Sequence, residues 1–422
     1  MLHRCSLFNE YGTSGQFYAI VIAFKVVIQQ VEKGDIMDGI GSEYGNGTLP
    51  AGIKSRVCHG INGLEMHYLE AGQKAEDSSL VVLLHGFPEL AYSWRKVILP
   101  LAEAGYHVVV PDQRGFGKTS GWDDSYVSDL SSYYKTNLVR DILGLISALG
   151  YKKVKSVIGH DSGAGVAGWS AVIRPDVYES VVMMSAPFTG APSIPFDTFV
   201  NQSACEIEED NIANELAALD RPRKHYHHYY RTLPANTDIM ESEAGLSSFI
   251  RAYYHHKSAD WKGNTPFPLE SWTAGELAQM PTYYIMDFGD TMPEAVAKHM
   301  PTDEEVSRCG WLTEDELRVY EAEYGRTGFQ GGLNWYRAGG SVGESKNLEL
   351  FFGKTIDIPA MFVAGRQDWG IYQRPGAIDK MKHEICTSMG EIRLVDNAGH
   401  WVQQEQPEKV TEHLLDFLGK LD

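Results

Sequence analysis

Positive charge is scarce in this 422-residue chain, where Lys and Arg number 37 against 56 Asp and Glu, for a formal net charge of −19. That surplus repels nucleic acid and anionic membrane surfaces, which leaves small molecules as the expected ligands. Cysteine is sparse as well. The five (Cys5, Cys58, Cys205, Cys309, Cys386) are scattered, odd in number and without Cys-x-x-Cys or Cys/His spacing. They exclude a disulfide framework or a zinc site and read as separate reduced thiols, in keeping with a cytoplasmic protein. Long apolar runs are also missing: residues 17–28 are interrupted by Lys25, are too short to span a bilayer and precede no small-residue cleavage site. What remains is the composition of an ordinary globular protein, 43% hydrophobic and 22% charged, long enough for one large domain or a domain with an insertion.

Residues 1–50 read as an extension outside the fold, because the Gly-rich run 34–52 has the character of a linker. Asn46-Gly47-Thr48 matches a glycosylation sequon, a chance match without a secretory signal. From about residue 55 short strands alternate with helices: a hairpin over 55–61 and 65–70, strands at 80–84, 107–110 and 180–184, and helices at 92–104 and 133–149. The continuous apolar runs predict strands buried on both faces. The alternation stops after residue 187 and resumes near 347 with strands at 358–363 and 391–395 and helices at 371–382 and 407–418. The expected fold is a mostly parallel, doubly wound α/β sheet built from 51–187 and 347–422, with 188–346 inserted as an aromatic helical cap over the C-terminal edge of the sheet.

One turn organises the rest. Residues 154–167 read as strand, tight turn and small-residue helix, the pattern of a nucleophile elbow, which needs almost no side chain two positions before and two after its nucleophile. Centred on Asp161 the flanks are Gly159 and Gly163; centred on Ser162 they are His160 and Ala164. The first frame fits, so the expected nucleophile is a carboxylate.

Six strings then carry a family resemblance: H-G-F-P-E at 85–89, D-Q-R-G-F-G-K-T-S at 112–120, G-H-D-S-G at 159–163, L-N-W-Y-R at 333–337, G-R-Q-D-W-G at 365–370 and G-H-W-V-Q-Q-E at 399–405. In this order they resemble the epoxide hydrolases of the α/β-hydrolase superfamily, over roughly residues 55 to 420. The departure is Ser162, where members often carry Trp. The fold's chain order of nucleophile, acid and base selects Asp161, Asp368 and His400, with Asp396 as a rival acid. The main-chain N–H groups of Phe87 and Ser162 are the expected oxyanion hole. The resemblance implies a cis Phe87–Pro88 bond and two cap phenols as proton donors to the epoxide oxygen: Tyr336, and Tyr226 or Tyr229, with Tyr226 giving the better register. It also implies His85, Pro88, Trp335 and Trp401 as substrate-facing residues, although His85, at a strand end, reads as structural.

The expected reaction is hydrolysis of an apolar epoxide to a vicinal diol through an ester on Asp161, with no metal or organic cofactor. A haloalkane dehalogenase would want Trp after the nucleophile and a fluoroacetate-type enzyme Arg; Ser162 stands there instead. An esterase using Ser162 is disfavoured by the elbow frame, and a non-catalytic receptor would not need the Asp/Asp/His set.

Overall fold

The computed structural model describes residues 36–38, 44–45, 47–73, 79–192 and 204–421. Its centre is a sheet in the order β1-β2-β3-β5-β4-β6-β7-β10-β11. The strands are β1 (Ile36–Asp38), β2 (Lys54–Ile61), β3 (Leu64–Ala71), β4 (Leu80–Leu84), β5 (His107–Pro111), β6 (Ser156–His160), β7 (Val181–Met184), β10 (Ala360–Gly365) and β11 (Met389–Val395). From β5 onward every neighbour pairs in parallel, while β1, β2 and β3 form an antiparallel edge joined to β5. Strands β4, β6, β7 and β10 are buried along their whole length, as expected where helices cover both faces of a sheet and the strand sequences run apolar without alternation.

The helices beside the sheet follow their apolar stripes. Lys135–Ala148 buries Leu138, Val139, Ile142, Leu145 and Ile146, and Pro407–Gly419 starts on a proline and buries Val410, Leu414, Phe417 and Leu418. Expected and observed elements differ at 371–382. In place of one helix there is a 3-10 turn at Trp369–Tyr372 and a helix at Ala377–Lys380 that continues as a π turn over Met381–Ile385. Arg374-Pro375-Gly376 separates them, with Gly376 left-handed at φ 72°, so the chain turns where proline and a positive φ stop a helix.

The boundary expected at residue 50 also moves. β1 pairs with β2 through Ile36 to Cys58 and Asp38 to Arg56, and buried Tyr44 donates to Asp112 Oδ1 at 3.1 Å. The glycines of 34–52 hid a three-residue edge strand and one anchoring aromatic, signals too short for a periodic pattern. The apolar stretch at 17–28, the sequon asparagine and Cys5 lie outside the described residues. Cys58, Cys309 and Cys386 are free thiols. Among the described residues no helix is long and apolar enough to cross a membrane.

Between β7 and β10 the chain forms a layer of helices, chiefly Leu246–Lys257, Glu314–Thr327 and Gln330–Gly339. It also contains a feature the sequence pattern did not predict, an antiparallel ribbon of β8 (Arg223–His225) with β9 (Ile285–Asp287). Three polar residues carry no alternation, so β8 was invisible. This layer sits on the loops that follow the C-terminal ends of the strands: Tyr254 donates to Pro88 O, Tyr324 to Glu89 O and the Trp335 indole to Arg114 O, at 2.9, 3.0 and 2.9 Å.

Candidate active site

Asp161 joins β6 to the helix Ser162–Ile173 with φ 52°, a left-handed conformation that costs a non-glycine residue about 1 kcal/mol or more. Its neighbours explain why the sequence spends glycines here. A Cβ on Gly159 would lie 2.1 Å from Gly163 O, and one on Gly163 would lie 2.5 Å from His85 O. Gly86 is equally constrained, since its Cβ would lie 2.4 Å from that of Asp161. Three backbones therefore close on one carboxylate.

That carboxylate is held on both oxygens. Oδ1 accepts from Phe87 N–H at 3.0 Å, and Oδ2 lies 3.4 Å from His400 Nε2. The other ring nitrogen of His400 is 3.1 and 3.2 Å from the two oxygens of Asp368. Asp368 follows β10 and His400 follows β11, adjacent parallel strands that bring both to one edge of the sheet. Asp368 is fixed in turn by Gly370 N–H at 2.6 Å. Asp396, the rival acid, is exposed and paired with Arg366 at 2.5 Å, so it does not stand behind the imidazole.

The electrostatics keep Asp161 ionised. Burial alone would raise its carboxyl, but the close approach and charge of His400, then the charges of Lys257 and His160, hold it well below the usual carboxylate range. Beneath it His160 Nδ1 meets Glu89 Oε2 at 2.5 Å, while its Nε2–H donates to the His400 carbonyl at 2.7 Å. Burial opposes the charge of each partner, yet each holds the other charged, with His160 raised and Glu89 lowered.

The cap supplies phenols above Asp161. Tyr226 and Tyr336 both line a cavity of about 310 Å³ with Asp161, Ser162, His227, Trp335 and Gln373, and their ring centroids are 5.9 Å apart. Tyr226 donates to Gln373 Oε1 at 3.1 Å. Burial, reinforced by the Asp161 charge and, for Tyr336, by Tyr226 as well, pushes both phenols well above their ordinary range, so both carry their protons. Tyr229 points elsewhere, donating to Asp238 Oδ2 at 3.0 Å. Among the described residues no group of three His, Cys, Asp or Glu is arranged to hold a metal.

Of the four residues expected to face substrate, only Trp335 lines the cavity. His85 is buried and accepts at Nε2 from Gln113 N–H at 3.1 Å. Trp401 is buried with its indole donating to Tyr254 O at 2.9 Å, and Pro88 is buried beneath the same tyrosine. Each sits next to a site residue in sequence but points into the core. The Phe87–Pro88 bond is cis. Ser162 Oγ is buried without a hydrogen-bond partner, and the imidazole that an esterase would turn on it faces Asp161.

A family model described as the alpha/beta hydrolase fold matches residues 79–204. Epoxide hydrolase A of Mycobacterium tuberculosis is 30% identical over 368 residues, covering 86% of this chain and 96% of that protein. The chain belongs to the epoxide hydrolase family of α/β hydrolases. Epoxide hydrolase B of the same organism is 31% identical over 382 residues, covering 85% and 96% of the two chains. The structure of an epoxide hydrolase from an endophytic Streptomyces superposes with a TM-score of 0.70 at 25% identity, over 88% of this chain and 97% of the other.

Three supports in this family member escaped the sequence reading. Gln373 positions the Tyr226 hydroxyl from the loop before the Pro375 turn. Glu405 accepts from Gly399, Trp401 and Ala259 N–H at 2.9, 3.0 and 2.8 Å, clamping the His400 loop to the cap. The buried Glu89–His160 pair ties the Phe87 turn, the elbow and the His400 carbonyl together. The strings around 89, 160 and 405 contained these residues, but nothing local says that they meet.

Proposed function

We propose that this chain hydrolyses an apolar epoxide to a vicinal diol in two half-reactions, with Asp161 as nucleophile. In the first, Asp161 Oδ2 attacks an oxirane carbon, the ring C–O bond breaks, and the departing oxygen takes a proton from Tyr226 or Tyr336, giving a hydroxyalkyl ester. In the second, His400, braced by Asp368, takes a proton from water as its oxygen attacks the ester carbonyl carbon. The negative charge collects on Oδ1, where the Phe87 N–H, with that of Ser162, receives it. Collapse breaks the bond to the ester oxygen, the diol leaves with a proton from the imidazolium, and the proton left on the Asp161 carboxyl returns to the phenolate, restoring both groups.

The observation that carries this reading is the double grip on Asp161: one oxygen on a main-chain N–H and the other facing an acid-backed imidazole, under two protonated phenols. A carboxylate so held has its oxyanion site and its base in place before substrate arrives. The chemistry needs no metal or organic cofactor, and the reduced thiols fit action in the cytoplasm. Aryl and alkyl epoxides assayed for diol test it directly. Diol formation that disappears in Asp161→Asn is expected; no diol from any epoxide in the panel contradicts the reading.

A further inference from the structure

Lys257 ends the helix Leu246–Lys257 with its side chain turned inward, and it is 2% exposed. A buried ammonium normally finds a carboxylate. Here rings surround it instead, with Nζ over Tyr284 at 4.8 Å, Tyr253 at 5.2 Å, Trp401 at 5.3 Å and Tyr283 at 5.8 Å. Cation–π attraction offsets part of the lost hydration. Two of these rings touch residues of the site from behind: Trp401 packs edge-on to His400 at 4.7 Å and Tyr284 meets Tyr226 at 5.1 Å, centroid to centroid. The Lys257 carbonyl itself accepts from His400 N–H at 2.9 Å. Asp161 from the elbow, Asp368 from the loop after β10 and Glu89 from the loop after β4 are the acids that act on the ammonium, and the phenols of Tyr253, Tyr283 and Tyr284 complete its surroundings.

We propose that Lys257 is an electrostatic positioning residue for the second half-reaction, its buried cation offsetting the pull of Asp368 on the His400 base once Asp161 has become an ester. The inference rests on the covalent reading above. In the free enzyme two carboxylates flank one imidazole, and in the ester Asp368 is the one of the two that remains charged, with the charged His160–Glu89 pair beneath unchanged. A lone carboxylate favours the imidazolium, which cannot take a proton from water. A cation behind the pair offsets that pull, and it also favours the oxyanion that develops on the ester. Nothing covalent happens at Lys257, whose charge acts through His400 and Asp368.

At an effective dielectric of about 20 and a separation on the order of 10 Å, one unit charge is worth about one pH unit. Burial lowers the ammonium to about 8, against the charges of Asp161, Asp368 and Glu89. The cation is therefore present at neutral pH and is lost above about 8.

Single-turnover kinetics with styrene oxide, quenched and read as ester by intact mass between about pH 5 and 9.5, separates the half-reactions. Lys257→Met should form ester within about threefold of the wild-type rate, while the acid limb of ester hydrolysis moves up by about one pH unit. The gap from wild type should be widest near pH 6–7 and close by about pH 9. Lys257→Arg, which keeps the charge, should retain the wild-type limb. Removal of a costly buried charge should also make Lys257→Met melt at or above the wild-type temperature at pH 7, which excludes a folding defect. A Met limb that superimposes on wild type overturns the proposal, as does an Arg limb displaced as far as Met, which would make shape the cause. Wild-type protein that turns over without forming ester overturns the covalent reading and this proposal with it.

Discussion

Replacing Tyr226 by Phe removes one oxygen and leaves the ring in place, so its cost can be divided between stability and chemistry. The hydroxyl donates to Gln373 Oε1 at 3.1 Å, and that partner is only half-buried, so water can substitute. The stability loss should be about 1 kcal/mol or less, a shift of about 1 °C for a chain of this length. In the proposed first half-reaction the same hydroxyl is one of two donors to the departing epoxide oxygen. Loss of one positioned donor costs about 10²-fold, or about 2.7 kcal/mol of barrier. Tyr336→Phe should behave alike, and the double variant should be nearly inactive. Tyr229→Phe is the internal control: its hydroxyl bonds Asp238 at 3.0 Å away from the cavity, so it should lose about 1 kcal/mol of stability or slightly more and leave alkylation unchanged. Rapid-quench measurement of ester formation beside thermal melts separates the two effects. Alkylation by Tyr226→Phe within about threefold of wild type, with Tyr229→Phe impaired, would refute the assignment of phenols.

Other expectations follow from the same geometry. His400→Gln should still alkylate but fail to hydrolyse the ester, so a stoichiometric adduct on Asp161 should appear by intact mass; wild-type turnover would remove His400 as base. Gly163→Ala forces a Cβ to within 2.5 and 2.6 Å of the His85 and Leu84 carbonyls, and should cost about 3 kcal/mol or more in denaturant unfolding. Burial works against the Asp161 charge but the His400 contact prevails, leaving the folded carboxyl lower than the unfolded one. That carboxylate therefore contributes stability present above about pH 4 and lost as pH falls below it. The alkylation rate should accordingly stay flat from about pH 8 down to 5, and a limb inside that window would contradict it.

The elbow was legible because its constraint is local: four or five residues decide which frame spares the backbone a Cβ, and Gly159 and Gly163 selected Asp161 over Ser162. The parallel strands were legible for a similar reason, since β4, β7 and β10 are each one unbroken apolar run. Direction was not. His85, Pro88 and Trp401 lie one or two residues from groups at the centre of the site, yet a turn sends neighbouring side chains to different sides, and these three went into the core. Nor were partners distant in sequence legible. Gln373 meets Tyr226 across 147 positions and Gln403 meets Glu89 across 314, distances over which no periodicity speaks. Lys257 carries no signal in the sequence, because a lysine ordinarily keeps its ammonium in solvent. Only the packing of Tyr253, Tyr283, Tyr284 and Trp401 around it shows a buried cation.

The central claim is that Asp161 becomes an ester and that water attacks the carbonyl carbon of that ester. One turnover in H₂¹⁸O, with enzyme in excess over epoxide, tests it most directly. The account predicts a first diol whose new oxygen is unlabelled, having come from Asp161, and a peptide containing Asp161 that is heavier by one ¹⁸O. A first diol carrying the label, with Asp161 unlabelled, would mean that the carboxylate only activates water, and would contradict the account at its base.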